Sequence, residues 1–163
     1  MGRCAIAHQH GASRTNRDHA WIQAGHDGHT VQGCQTMIMG GLGCRLEASP
    51  EAMIDVVRLA IERWGLPHGF AVPAFRQNHA AVQAVAQLFK LPVTVVDLLS
   101  LASAQPRCLT HSERARMTMG FGSIAEGCAL AVLGPHSQLL GARLAGDGVT
   151  CAFAMIKAGS LSQ

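Results

Sequence analysis

Apolar positions change their period several times along the chain, and each change marks an element. Thr36-Met37-Ile38-Met39-Gly40 is a short apolar run ending in glycine, the pattern of a buried strand. Gly41-Leu42-Gly43-Cys44-Arg45 reads as a glycine loop, and at Ser49-Pro50-Glu51 the spacing turns helical. Ser49 suits the N-cap because its hydroxyl accepts from first-turn amides, Pro50 suits the first helical position, and Glu51 complements the helix dipole. Met53, Val57, Ala60, Ile61 and Trp64 then share one face, with Asp55, Arg58 and Glu62 away from it, until Gly65 caps the helix and Pro67 forbids its continuation. A second unit follows, with Gly69 to Pro73 as a strand, Asn78 as the cap of a helix running to about Lys90, and Val82, Val85 and Phe89 as its stripe. Leu91-Pro92 breaks the chain before Val93-Thr94-Val95-Val96, which has the β-branched density of a buried strand, and Asp97 caps a short helix after it.

The last third predicts helices from about Ser112 to Met119 and from Ser123 to Leu133, separated by Gly120-Phe121-Gly122. Ser123-Ile124-Ala125-Glu126 has the form of a capping box, in which the serine oxygen and the glutamate carboxylate each satisfy an exposed backbone amide. Leu139 to Ala142 and Val149 to Ala154 read as two strands joined across Gly146-Asp147-Gly148, whose Asp-Gly pair signals a hairpin. Strands alternating with helices require crossover connections. The class is therefore α/β: a mixed, mostly parallel sheet with helices over both faces and an antiparallel edge.

Residues 1–35 carry no such pattern. Five of the nine histidines lie there, at His8, His10, His19, His26 and His29, with few apolar residues beyond Ile6, Trp21, Ile22 and Val31. The expectation is a polar, flexible leader followed by one domain over residues 36–163. Its His-Gln-His and His-Asp-Gly-His stretches could ligate a divalent metal, but their spacing fits no standard site, and no metal is expected.

Composition narrows the function. The chain has 163 residues, 48% hydrophobic and 14% charged, enough apolar side chain for a single core. Aromatic residues are 4% with no Tyr, which leaves few stacking platforms and argues against nucleic-acid binding. The net charge of +3 suits a small polyanionic ligand better than a duplex. Of the 13 cations only Lys90 and Lys157 are lysines. Arginine favours bidentate carboxylate or phosphate contacts, although a codon bias gives the same excess. Cys4, Cys34, Cys44, Cys108, Cys128 and Cys151 have no paired short spacing and read as free thiols. No export h-region and no unbroken run of ~18 apolar residues is present, so no membrane association and a cytoplasmic location are expected.

Candidate chemistry concentrates at two glycine-bearing segments. Gly41 and Gly43 stand where a strand gives way to a helix, so backbone amides there can receive an anion. Leu46 takes the place of the third glycine of a dinucleotide fingerprint, and there is no P-loop lysine. Arg45 beside them can grip a carboxylate in a fork, while the glycines equally serve the geometry of a tight turn. Cys44, just before a helix, is a nucleophile if its pKa is lowered and otherwise a small buried residue. Glu126 is either a general acid or base beside a cleft or simply a cap.

Read in order, Gly41-Leu42-Gly43-Cys44-Arg45 with Ser49, then Gly120-Phe121-Gly122-Ser123-Ile124-Ala125-Glu126-Gly127-Cys128-Ala129-Leu130, then Leu139-Leu140-Gly141-Ala142-Arg143, and last Val149-Thr150-Cys151-Ala152-Phe153-Ala154 carry a resemblance. Over residues 36–157 the chain resembles the CobE family of cobalamin biosynthesis, which is similar to the C-terminal domain of CbiG. The resemblance implies a three-layer α/β/α sandwich that binds a carboxylated precorrin or corrinoid in an accessory or carrier role, with no cofactor. The alternative it implies is a CbiG-type hydrolase that opens the cobalt-precorrin-5A lactone with release of acetaldehyde. Implied partners are the tetrapyrrole and other enzymes of the cobalamin pathway. Carried over by position, the ligand-facing residues are Gly41, Gly43, Cys44, Arg45, Gly122 and Ser123, joined by Arg76 and Arg143, and the catalytic candidates are Glu126 and Cys44. The family commonly has lysine and acidic residues where this chain reads Arg76-Gln77-Asn78-His79, and lysine where it has Arg143. The charge is kept at both places, but no acidic catalyst carries over to residues 76–79.

Overall fold

The first helix, α1 (Pro50–Trp64), forms as its local signals dictate. Ser49 Oγ accepts from Ala52 N at 3.2 Å, Met53, Val56, Val57 and Ala60 are buried, and Gly65 ends the helix at φ +92°. This computed structural model describes residues 35–157, so the His-rich leader lies outside the described residues. The other elements are β1 (Thr36–Cys44), β2 (Gly69–Pro73), α2 (Ala80–Phe89), β3 (Val93–Val96), α3 (Leu98–Ala104), α4 (Glu113–Met119), α5 (Ile124–Leu133), β4 (Gln138–Leu139), β5 (Leu144–Ala145) and β6 (Val149–Lys157). Single 3₁₀ turns follow β2 and α3, at Ala74–Arg76 and Gln105–Arg107.

The six strands form one mixed sheet in the order β3-β2-β1-β6-β4, with β5 also on β6. The pairs β1/β2 and β2/β3 are parallel. On the other side β6 runs antiparallel to β1 from Thr36↔Lys157 to Cys44↔Val149, and β4 and β5 are antiparallel to β6. The two faces of the sheet differ in side-chain size. Leu42, Phe70, Val72, Val149, Cys151 and Phe153 form a bulky face under α1 and α2. The opposite face offers Gly41, Ala71, Ala152 and Ala154, and α5 lies on it with Ala125, Cys128 and Ala129, backed by Leu101 and Ala104 of α3. Helices on both faces make the α/β/α sandwich.

Several local expectations change. Residues 41–44 are not a loop: β1 continues through them because each has a partner on β6. The cap of α2 is His79 rather than Asn78. Its Nδ1 accepts from Ala81 N at 3.1 Å while Nε2 donates to Leu46 O at 2.8 Å, which wedges the ring between two segments. β3 is an edge strand with Thr94 and Val95 exposed, since the parallel order places it last. Asp97 caps α3 as expected, and the bonds its carboxylate accepts from Ser100 N and Oγ hold its pKa below the usual value. β4 stops at Leu139, and the strand joined to β6 by the Asp-Gly turn is β5, because the Arg143 amide bonds to Glu126 instead of to β6. Gly148 takes φ +71° in that turn.

The capping box at α5 does not form. Ser123 Oγ is buried and finds no hydrogen-bond partner among the described residues, and Glu126 turns away from the helix start. Gln105 takes over, its Oε1 accepting from Gly122 N at 3.0 Å and Ser123 N at 3.2 Å. A long-range amide has displaced the local cap.

Candidate functional site

Where β1 and β2 end and β6 begins, the chain leaves a cleft of about 540 Å³. This is the carboxyl end of the parallel strands, where crossovers diverge and open α/β sheets receive ligands. Gly43, Cys44, Val149 and Thr150 form its floor with Ile124. Four segments supply the walls: Arg45 to Glu47 after β1, Phe75 and Arg76 after β2, the inner side of α4, and Arg143 to Gly148 before β6.

Each wall contributes one arginine: Arg45, Arg76, Arg114 and Arg143. Glu47 is the one acid lining the cleft among the described residues. The arginines are held by different means. The Arg45 amide bonds to Gly148 O at 2.9 Å, tying two walls together. Arg76 Nε donates to Cys44 O at 2.9 Å, and its guanidinium lies 5.1 Å from the Phe75 ring centre. The Arg143 amide donates to Glu126, and Arg114 is exposed on a helix with no buried residue. Apolar surface from Leu46, Phe75, Met119 and Ile124 lies between the cationic groups.

Cys44 is half-buried in the floor. Burial pushes its thiol pKa up and outweighs the neighbouring Arg76 guanidinium, which pulls it down. This direction is opposite to the lowering that activates a cysteine nucleophile. The other described cysteines are buried on the sheet or under α3. Desolvation raises Cys108 to about 11, with the Glu126 charge adding to it, and moves Cys128 and Cys151 strongly upward.

The cleft thus brings together Gly43, Cys44, Arg45, Arg76 and Arg143 of the residues expected from sequence. Gly41 is not among them. A Cβ there would lie 1.8 Å from Ala125 O, so this glycine admits α5 to the sheet and does not line the cleft. Gly122 lines a second hollow of about 350 Å³ beside Gln105 and His111, and Ser123 is buried at the start of α5. Glu126 is fully buried and lines neither hollow. Its Oε2 accepts from Leu109 N and Thr110 N at 2.8 and 2.9 Å, and its Oε1 from Thr110 Oγ1 and Arg143 N at 2.7 and 2.9 Å. Sequence reasoning missed Arg114, Glu47 and Thr150. The signal for Arg114 was present in α4, whose Arg114, Ala115, Thr118 and Met119 share one side at helical spacing without making a core stripe.

Among the described residues no group of three or more His, Cys, Asp or Glu could hold a metal ion, and no helix is long and apolar enough to cross a membrane. Residues 38–154 match the family model described as cobalamin synthesis G C-terminus. Among solved structures, that of CobE, a protein from the cobalamin biosynthetic pathway, is 26% identical with a TM-score of 0.69; the match covers 78% of this chain and 96% of CobE. The cobalamin biosynthesis protein chiG from Agrobacterium tumefaciens str. C58 is 25% identical with a TM-score of 0.57, over 72% of this chain and 97% of that one. No curated protein matches the chain. With the family model spanning from β1 into β6, and both solved relatives named for cobalamin biosynthesis, the chain belongs to the cobalamin synthesis G C-terminus family, whose CobE-like members it resembles.

Proposed function

We propose that the cleft binds a carboxylated precorrin or corrinoid and that the protein holds or hands on this intermediate in cobalamin biosynthesis. The observation that carries the reading is the convergence, among the described residues, of four arginines from four separate segments on one cleft with a single acid. A corrin-type macrocycle has an apolar body edged with acetate and propionate carboxylates. Guanidinium forks suit that edge, and the apolar surface of Leu46, Phe75 and Ile124 suits the body. The carrier role is favoured because the cleft thiol has its pKa pushed up and the Glu126 carboxylate is fully engaged away from the cleft. Glu47 supports a second reading, since it is a carboxylate at the cleft able to act as a general base toward a lactone.

Titration of the purified protein with hydrogenobyrinic acid, followed by absorbance, tests the first reading. Saturable binding is expected. Charge-assisted hydrogen bonds to arginine contribute roughly 1.5 to 3 kcal/mol, so Arg45→Ala weakens binding about tenfold to a hundredfold. Arg45→Lys recovers only part of this, because an ammonium does not reproduce the fork. If the wild type binds no such ligand, the carrier reading is lost. Acetaldehyde released from cobalt-precorrin-5A by the wild type but not by Glu47→Gln would move the assignment to the hydrolase.

A further inference from the structure

We propose that Glu126 is the positioning residue of the arginine cleft: its buried carboxylate fixes the two segments that carry Arg114 and Arg143, and so sets ligand affinity without touching ligand. The inference rests on reading the cleft as a carboxylate-binding site. Glu126 stands on α5, between the sheet and α3, which makes it a rigid post. Both of its oxygens are filled by donors from outside the helix, two from Leu109 and Thr110 amides, one from the Thr110 hydroxyl and one from the Arg143 amide.

Each tethered segment is otherwise anchored at its margins: the Ser112 amide donates to Gly122 O at 2.8 Å ahead of α4, and β5 pairs with β6 after Arg143. α4 follows Thr110 and buries none of its residues, so its place at the cleft depends on the chain before and after it. Between the Leu140 amide, which donates to Phe153 O, and β5, residues 141–143 are held by the bond from the Arg143 amide to Glu126. A carboxylate is also the group this geometry demands. At Oε2 both donors are backbone amides that cannot become acceptors. At Oε1 the threonine hydroxyl can rotate to accept, but the Arg143 amide cannot. In Glu126→Gln the amide nitrogen therefore settles at the Oε1 side, the 109–110 tether survives, and Arg143 is released. Glu126→Ala releases both segments.

The test combines hydrogen exchange on the ligand-free chain with titration by hydrogenobyrinic acid. In Glu126→Gln, exchange is expected to accelerate over residues 141–143 and stay unchanged over 109–112 and in α1; in Glu126→Ala both segments accelerate. Binding by Glu126→Gln is expected to weaken roughly tenfold, as for loss of one charge-assisted contact. Because the effect passes through Arg143, the double variant Glu126→Gln/Arg143→Ala binds no more weakly than Arg143→Ala alone. Additive losses, or exchange that rises uniformly across the core, would mean that Glu126 only stabilises the fold and would overturn the proposal. Should Glu126→Ala not fold, Thr110→Val removes a single bond, and its loss of affinity is expected to be non-additive with Arg114→Ala. If the wild type binds no hydrogenobyrinic acid, the cleft reading fails, while unaltered exchange in ligand-free Glu126→Gln would separately defeat the tether.

Discussion

The Gln105 side chain surrounds the start of α5 with four hydrogen bonds, accepting from the Gly122 and Ser123 amides and donating to the Leu101 and Ser123 carbonyls. All the donor and acceptor capacity facing the helix is used, and the Ser123 hydroxyl is left without a partner among the described residues. Two substitutions should therefore act against their local context. Ser123→Ala is expected to leave the urea midpoint unchanged or raise stability by up to about 1 kcal/mol, because an unpaired buried hydroxyl is a cost. Gln105→Ala should lower stability by about 2 kcal/mol, since it strands the Gly122 and Ser123 amides. A loss in Ser123→Ala comparable with that of an N-cap would contradict this assignment. The serine and the glutamate three residues later spell a cap in the sequence; what the sequence does not display is that Gln105, 18 residues upstream of Ser123, and the Leu109, Thr110 and Arg143 donors reach the same helix end.

Element by element, legibility follows how local the determining contacts are. α1 is written in its own residues, from Ser49 to Gly65, and the structure repeats it. The edge position of β3 and the cleft-facing side of α4 depend on neighbours distant in sequence, so Val93 to Val96 read as a buried strand and Arg114 did not stand out as a site residue. The contact of α5 with the sheet is the sharpest such case. Gly41 suits an anion loop equally well until α5 is seen lying on it, with the helix backbone where a side chain would be. Gly41→Ala must displace a helix, because Ala125 O and Ala129 N cannot rotate away, and a loss of about 3 kcal/mol or more is expected in urea unfolding. Gly43→Ala should be much milder, around 1 kcal/mol, since its new methyl would meet the Thr150 hydroxyl at 2.6 Å and side-chain atoms of Ile124, which can adjust. Equal costs would mean that α5 does not bear on Gly41 alone.

At the scale of the molecule, the arginines were legible as chemistry and not as a site. Arg45, Arg76 and Arg143 stand tens of residues apart, and only the sheet order brings β1, β2 and the approach to β6 to one end. That order also pairs the first strand with the last over nine positions, Thr36 beside Lys157 at one end and Cys44 beside Val149 at the cleft. The described body therefore begins and finishes side by side, at the end of the sheet away from the cleft, about 5 Å apart as antiparallel neighbours are. A permuted chain that joins residue 157 to residue 36 through a short turn and opens between Gly65 and Leu66 should keep the cleft and refold faster in stopped-flow measurements, because its most extensive pairing becomes a hairpin. Slower refolding would show that β1 and β6 do not limit closure of the sheet. In the natural order, a chain leaving the ribosome holds its central strand half-paired until the last strand emerges, so the exposed flank of β1 is the surface a nascent-chain chaperone would have to shield.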